Sequence, residues 1–166
     1  MAITNKEFDS VGGFSISNTQ VANEFRDFKN LNTLELKNRF HSDSKTTNYI
    51  LRGLNTTSLQ IDDIGSGIPI ENSTVNFITG NILAVNPSGT VYSLKIESTV
   101  GCNSLGNVSV LSSLTTIIKD DIPNGESWTV APQGSTNNFT YNTGRTGTVQ
   151  NIKWVASTQV VSIDWA

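Results

Sequence analysis

The chain has 166 residues, a formal net charge of −3 and a charged fraction of 15%, against roughly 25% in ordinary soluble domains. Hydrophobic residues are only 36%, so Asn, Ser, Thr and Gly take the place of the missing charges. This balance, with no Lys/Arg cluster, speaks against nucleic-acid binding; the single Cys102 leaves no intrachain disulfide, and no apolar run reaches the roughly 20 residues of a membrane helix.

Charge is unevenly distributed. Residues 1–50 hold six basic and six acidic side chains, whereas residues 51–166 hold five and eight. A boundary is therefore expected near residue 48, with an arm over 1–48 and a domain over 49–166. A chain of this size buries roughly 70% of its unfolded surface and needs no metal or disulfide to fold. The opening residues lack an apolar secretory core, so synthesis in a cytoplasm and a soluble chain are expected.

Residues 1–18 read as extended, with Phe14 and Ile16 alternating against Ser15 and Ser17 after the Gly12–Gly13 break. Val21, Phe25 and Phe28 fall at i, i+4 and i+7, which predicts a short helix over 19–29 with a cap at Ser17, Asn18 or Thr19. Phe14, Val21, Phe25 and Phe28 are the candidate assembly contacts of this arm. From Thr33 the period becomes two. Leu34, Leu36 and Phe40 oppose Glu35, Lys37 and Arg39, which predicts a half-exposed strand.

Tyr49 opens a region of β-type runs punctuated by turn residues. Leu59–Ile61 is a short strand before the loop Asp62-Asp-Ile-Gly-Ser-Gly-Ile-Pro69. Val75–Ile78 and Ile82–Val85 lead through Asn86-Pro-Ser-Gly89 into Val91–Glu97, the clearest hairpin, with Tyr92, Leu94 and Ile96 facing inward. Val108–Leu111 and Leu114–Ile118 read as two further strands, and Asp120-Asp-Ile-Pro-Asn-Gly125 as a turn. Trp128 and Val130, then Phe139 and Tyr141, alternate with polar neighbours, and Asn142-Thr-Gly144 reads as a turn. Ile152, Trp154 and Ala156 are expected on one face of the next strand. Val161, Ile163 and Trp165 are expected on the inner face of the last, which pins the C-terminus into the sheet. Strands every 8–12 residues with one wet face predict an all-β fold, an antiparallel β-sandwich or jelly-roll-like domain.

Sites of chemistry are scarce. His41 is the only histidine, which excludes a Cys/His zinc set, and it sits in a polar stretch with no nucleophile elbow. Asp62–Asp63 and Asp120–Asp121 lack the alternating acidic loop of a calcium site and read better as turn caps. Four Asn-X-Ser/Thr triplets, at Asn55, Asn72, Asn107 and Asn138, read as accidents of composition. No catalytic residue, cofactor or metal is therefore assigned. Trp154 and Trp165 are in step with apolar neighbours and are expected in the core. Trp128, with the loops around Asn103, Asn124 and Asn137, is the candidate platform if the chain is a host-surface carbohydrate-binding module.

The start Met-Ala-Ile-Thr-Asn-Lys-Glu-Phe8 resembles small structural proteins of tailed marine phages, the contractile-tailed cyanophages in particular. Ile118-Lys-Asp-Asp-Ile-Pro-Asn-Gly-Glu-Ser-Trp-Thr-Val130 and Asn151-Ile-Lys-Trp-Val155 are similar in style to β-domains of such virion proteins. The resemblance implies a non-enzymatic virion component of tail, neck, baseplate or capsid decoration. Its partners would be other copies of itself and other virion proteins, with no nucleic acid and no membrane. The family carries no catalytic residues to transfer.

Overall fold

A computed structural model of the chain describes residues 14–16, 19–22, 28, 31, 33–37, 39–55 and 57–166. It divides into two units, Met1–Asn32 and Thr33–Ala166. The boundary falls before residue 48 because the predicted strand at Thr33 and the residues after it belong to the main sheet.

In the first unit, β1 (Phe14–Ile16) pairs antiparallel with β2 (Thr19–Ala22), and Ile16 lies opposite Thr19. The helix expected over 19–29 is not found: its first turn is β2, and Phe28 forms an antiparallel bridge with Ala22. Thr19 and Val21 are β-branched and stiff at χ1, which favours the strand. A three-residue apolar spacing is too short a pattern to outweigh pairing with Phe14-Ser-Ile16. Residues 23–27, and Phe25 with them, lie outside the described residues.

The second unit is all antiparallel β. Its strands are β3 (Thr33–Lys37), β4 (Ser44–Leu54), β5 (Ile68–Pro69), β6 (Thr74–Val85), β7 (Val91–Cys102), β8 (Val108–Asp120), β9 (Ser127–Ser135), β10 (Asn138–Thr146) and β11 (Lys153–Asp164). Six of them form a sheet in the order β3-β4-β11-β6-β7-β8, and three form a sheet in the order β5-β10-β9. The β6–β7 hairpin keeps one register from Thr74↔Cys102 to Val85↔Val91. Its turn is closed by Asn86, whose Oδ1 accepts from the Ser88 and Thr90 amides at 3.1 and 2.9 Å. This is the asparagine side chain standing in for backbone. Asn103 does the same for Leu105 and Asn107 at 3.0 and 2.9 Å. Asn142-Thr-Gly144, expected as a turn, is instead inside β10.

The two sheets share one core. Leu51, Ile78, Ile82, Leu94, Ile96, Trp154 and Val160 of the larger sheet are buried with Trp128, Phe139 and Tyr141 of the smaller. Phe139 and Tyr141 meet edge-on at 5.2 Å. Tyr141 of the smaller sheet packs directly over Gly80 of the larger; a Cβ there would lie 2.6 Å from the Tyr141 Cζ. The segment after β4 ties the sheets together: Gln60 exchanges backbone hydrogen bonds with Arg52, and the Leu59 amide donates to Tyr141.

β11 lies between β4 and β6 and pairs with both without a break. Side chains alternate along an unbroken strand, so the buried Trp154 fixes Ala156, Thr158, Val160 and Ser162 on the core side. Val161, Ile163 and Trp165 are therefore on the other parity and exposed, the reverse of the inner placement expected for them. Buried Thr158 and Ser162 hid the continuity, because polar residues at core positions look like strand ends.

Burial pushes the Tyr141 hydroxyl up to about 12, opposed by the nearby Thr158 hydroxyl. Among the described residues neither group makes a hydrogen bond of ordinary length and angle, although both are buried. Tyr141→Phe is therefore expected to change stability at neutral pH by less than ~1 kcal/mol, since no made bond is lost. At high pH it matters more. The folded chain holds this proton longer than the unfolded one, so stability falls as pH rises from 10 toward 12, by up to ~1.4 kcal/mol per pH unit. Denaturant melts at pH 8 and pH 11 will show a smaller alkaline loss for Tyr141→Phe than for the parent.

Candidate assembly surfaces

The acidic pairs serve the turns. Asp62 Oδ1 accepts from the amides of Ser66, Gly65 and Ile64 at 2.8, 3.0 and 3.2 Å. Hydrogen bonds from Ser66, then from the other two amides, hold its carboxyl below the ordinary aspartate value. Asp120 Oδ1 accepts from the Ile122 amide at 3.1 Å, and Asp121 pairs with Lys119 at 2.8 Å. Among the described residues there is no group of three or more His, Cys, Asp or Glu side chains that could hold a metal. His41 is exposed in the loop between β3 and β4. Lys45 bridges Glu71 at 2.7 Å and Glu35 at 3.2 Å. Burial lowers its pKa, but the two carboxylates outweigh that and leave it raised.

Trp128 is 3% exposed. Its ring packs against Trp154 at 6.4 Å, and its Nε1 donates to Glu126 Oε2 at 3.2 Å. A ring so buried offers no face for stacking on a sugar, which corrects the platform assignment. Trp165, expected in the core, is exposed. The Asn103 amide closes its own turn, and Asn137 Nδ2 donates to the Ile70 carbonyl at 3.0 Å. Of the arm residues, Val21 is half-buried and Phe28 is 78% exposed. The side chains of Phe14 and Phe25 lie outside what is described.

Sequence reading missed the outer face of the larger sheet. Registers place Leu36, Thr46, Val161, Phe77 and Thr99 in one row across five strands. Ile163 and Val75 stand opposite each other one step further along. Phe77 and Val161 are 48% and 45% exposed. The signal was present, since consecutive apolar residues at Val160–Val161 require one of the two to face out.

The second missed feature is β8. It forms the last strand of the sheet, and only β7 pairs with it among the described residues. Every residue from Leu111 to Asp121 is exposed, including Leu111, Leu114, Ile117 and Ile118 at 54–68%. Ile117 continues the row Leu51–Ala156–Ile82–Leu94, which is buried throughout. Cover over that row ends at β7. On the outer face, Phe77, Thr99, Ser112 and Leu114 line a shallow groove of about 310 Å³.

No family model matches the sequence, and comparison with curated proteins and with solved structures gave no match.

Proposed function

We propose that this chain is a non-enzymatic structural component of a tailed-phage particle, built in multiple copies on a β-sandwich body. The observation that carries the reading is the exposed aliphatic strand β8 beside the apolar outer face. Contiguous apolar surface of this kind marks an interaction site. The resemblance of Met1–Phe8, Ile118–Val130 and Asn151–Val155 to virion proteins supplies the setting. The charge-poor β surface fits a role of packing against neighbours rather than steering charged ligands.

Tail, neck or baseplate is favoured over head decoration, with the first unit, Met1–Asn32, as the anchoring arm. Exposed Phe28 supports that role. Quantitative mass spectrometry of purified particles tests the proposal. The chain is expected at a fixed ratio to the other particle proteins, in hundreds of copies for a shell component or a multiple of six for a tail component. Its confinement to the unassembled fraction overturns the reading.

The carbohydrate-binding alternative keeps one supporting feature after the loss of Trp128. A cleft of about 240 Å³ on the smaller sheet is lined by Gln133, Ser135, Asn138, Thr140 and Asn142. These are neutral hydrogen-bonding groups of the kind that meet hydroxyls. A glycan array with the purified chain separates the two readings: binding to surface polysaccharides supports adhesion, and silence supports the structural role.

A further inference from the structure

We infer that β8 joins two copies of this chain edge to edge, in antiparallel register about a two-fold axis at Leu114. The inference rests on the multi-copy reading above and names its joint.

An edge strand presents a row of backbone donors and acceptors that can template another strand, and natural edges are commonly blunted by charge. The two edges of the larger sheet differ in this respect. β3 carries Glu35 and Lys37 within its five residues. β8 carries no charge from Val108 to Ile118, and Lys119 and Asp120 fall at one end. Bulges interrupt its pairing with β7 at Leu111 and at Ile118, leaving Ser112–Ile117 as a regular run between them.

That run is chemically self-complementary. With Leu114 opposite its own copy, Ser113 meets Thr115 and Ser112 meets Thr116, while the bulged Leu111 lies near Ile117 of the other strand. Hydroxyl faces hydroxyl and aliphatic faces aliphatic, as cross-strand pairs prefer. The axis carries the two Lys119–Asp120 ends to opposite extremes of the joint, so no like charges meet. A β3–β8 pairing would instead set Glu35 and Lys37 against an uncharged aliphatic strand.

Leu114 lies opposite Glu97 on β7 and shares the outer-face groove with Phe77. The two grooves would run together across the axis. Pairing along this edge would add the regular Ser112–Ile117 run of each copy to one continuous sheet. A two-fold joint of this kind uses the same patch on both subunits and closes on itself.

Sedimentation velocity of the full chain over a concentration series, with Leu114→Lys in parallel, tests the joint. The parent is expected to show a reversible dimer or an even-numbered oligomer. Leu114→Lys sets two ammonium groups face to face and is expected to weaken association by roughly 100-fold, with a melting temperature equal to the parent's at concentrations where the parent is monomeric, because Leu114 is outside the core. Leu114→Cys is expected to form an intermolecular disulfide under mild oxidation, and Thr79→Cys, on the same face two strands away, is not. A parent that stays monomeric at high concentration overturns the inference. So does unchanged association of Leu114→Lys, or cross-linking of Leu114→Cys no faster than of Thr79→Cys. Any of these with the chain still present in particles removes β8 as the joint and leaves the virion reading standing. Absence from particles removes the reading itself.

Discussion

Replacing Gly80 by alanine is expected to destabilise the chain by about 3 kcal/mol, at the upper end of overpacking costs. The new methyl would sit 2.6 Å from Tyr141 Cζ and closer still to the hydroxyl. Tyr141 is fully buried, and its ring is fixed edge-on against Phe139. It cannot swing aside as a surface side chain would. Gly80 is also mid-strand, paired with Thr158 on one side and Ile96 on the other. The backbone has no room to retreat without breaking two ladders. The missing Cβ is therefore what lets the two sheets approach over a tyrosine. Tyr141→Phe removes the hydroxyl but leaves the ring carbon, so the double variant Gly80→Ala/Tyr141→Phe is expected to recover only part of the loss. Denaturant melts of the four proteins of this cycle read the coupling directly. Equal effects of Gly80→Ala in both backgrounds would show that the hydroxyl contributes nothing to the clash.

Phe139→Ala is expected to cost about 4 kcal/mol, in the range for deleting a buried aromatic. Phe139 is fully buried and holds Tyr141 in an edge-to-face contact. Its strand, β10, is the middle of the three-stranded sheet, so a cavity there loosens contact along both neighbours. For a unit of this size the melting temperature should fall by roughly 10–15 °C. Phe77→Ala is the control. The residue type is the same and it also lies on a long strand, but its side chain is on the outer face of β6. Its removal should cost less than ~1 kcal/mol. If both substitutions shift the melt equally, the assignment of inner and outer faces is wrong.

Much of the β region was legible because turns announce themselves. Asn86-Pro-Ser-Gly89 and Asp120-Asp-Ile-Pro-Asn-Gly125 bracket β7 and β8, and Tyr92, Leu94 and Ile96 do face the core. Strand lengths were less legible. Val108–Leu111 and Leu114–Ile118 are one strand, as are the two runs within Thr74–Val85. Ser, Thr, Gly and Asn in mid-strand look like interruptions, yet a neighbouring strand can satisfy their backbone just as well.

The inner and outer placement of the last strand failed for the same reason. Ile152, Trp154 and Ala156 are even-numbered and Val161, Ile163 and Trp165 are odd-numbered. Both sets can be internal only if the strand breaks or bulges between them. Neither happens, because β11 is held in register on both sides from Lys153 to Ile163. Pairing along the whole strand outweighs the local apolar pattern, and buried Thr158 and Ser162 are the consequence. The exposed Val161, Ile163 and Phe77 follow from that one fact of parity.

The assembly surface was legible only in outline. A neutral, Thr- and Asn-rich exterior pointed to packing against partners, but which strand lies at the edge is a property of sheet order. Sheet order depends on pairing between β4 and β11, which are distant in sequence. Nothing local to Val108–Asp120 says that its second edge is open.

Thiol labelling along β11 tests the parity most directly. Single cysteines at Val160, Val161, Ser162 and Ile163, introduced one at a time beside the buried Cys102, are reacted with a maleimide under native conditions. Rapid labelling at 161 and 163 with protection at 160 and 162 is the expected result. Protection at 161 and 163 with rapid reaction at 160 and 162 would contradict it.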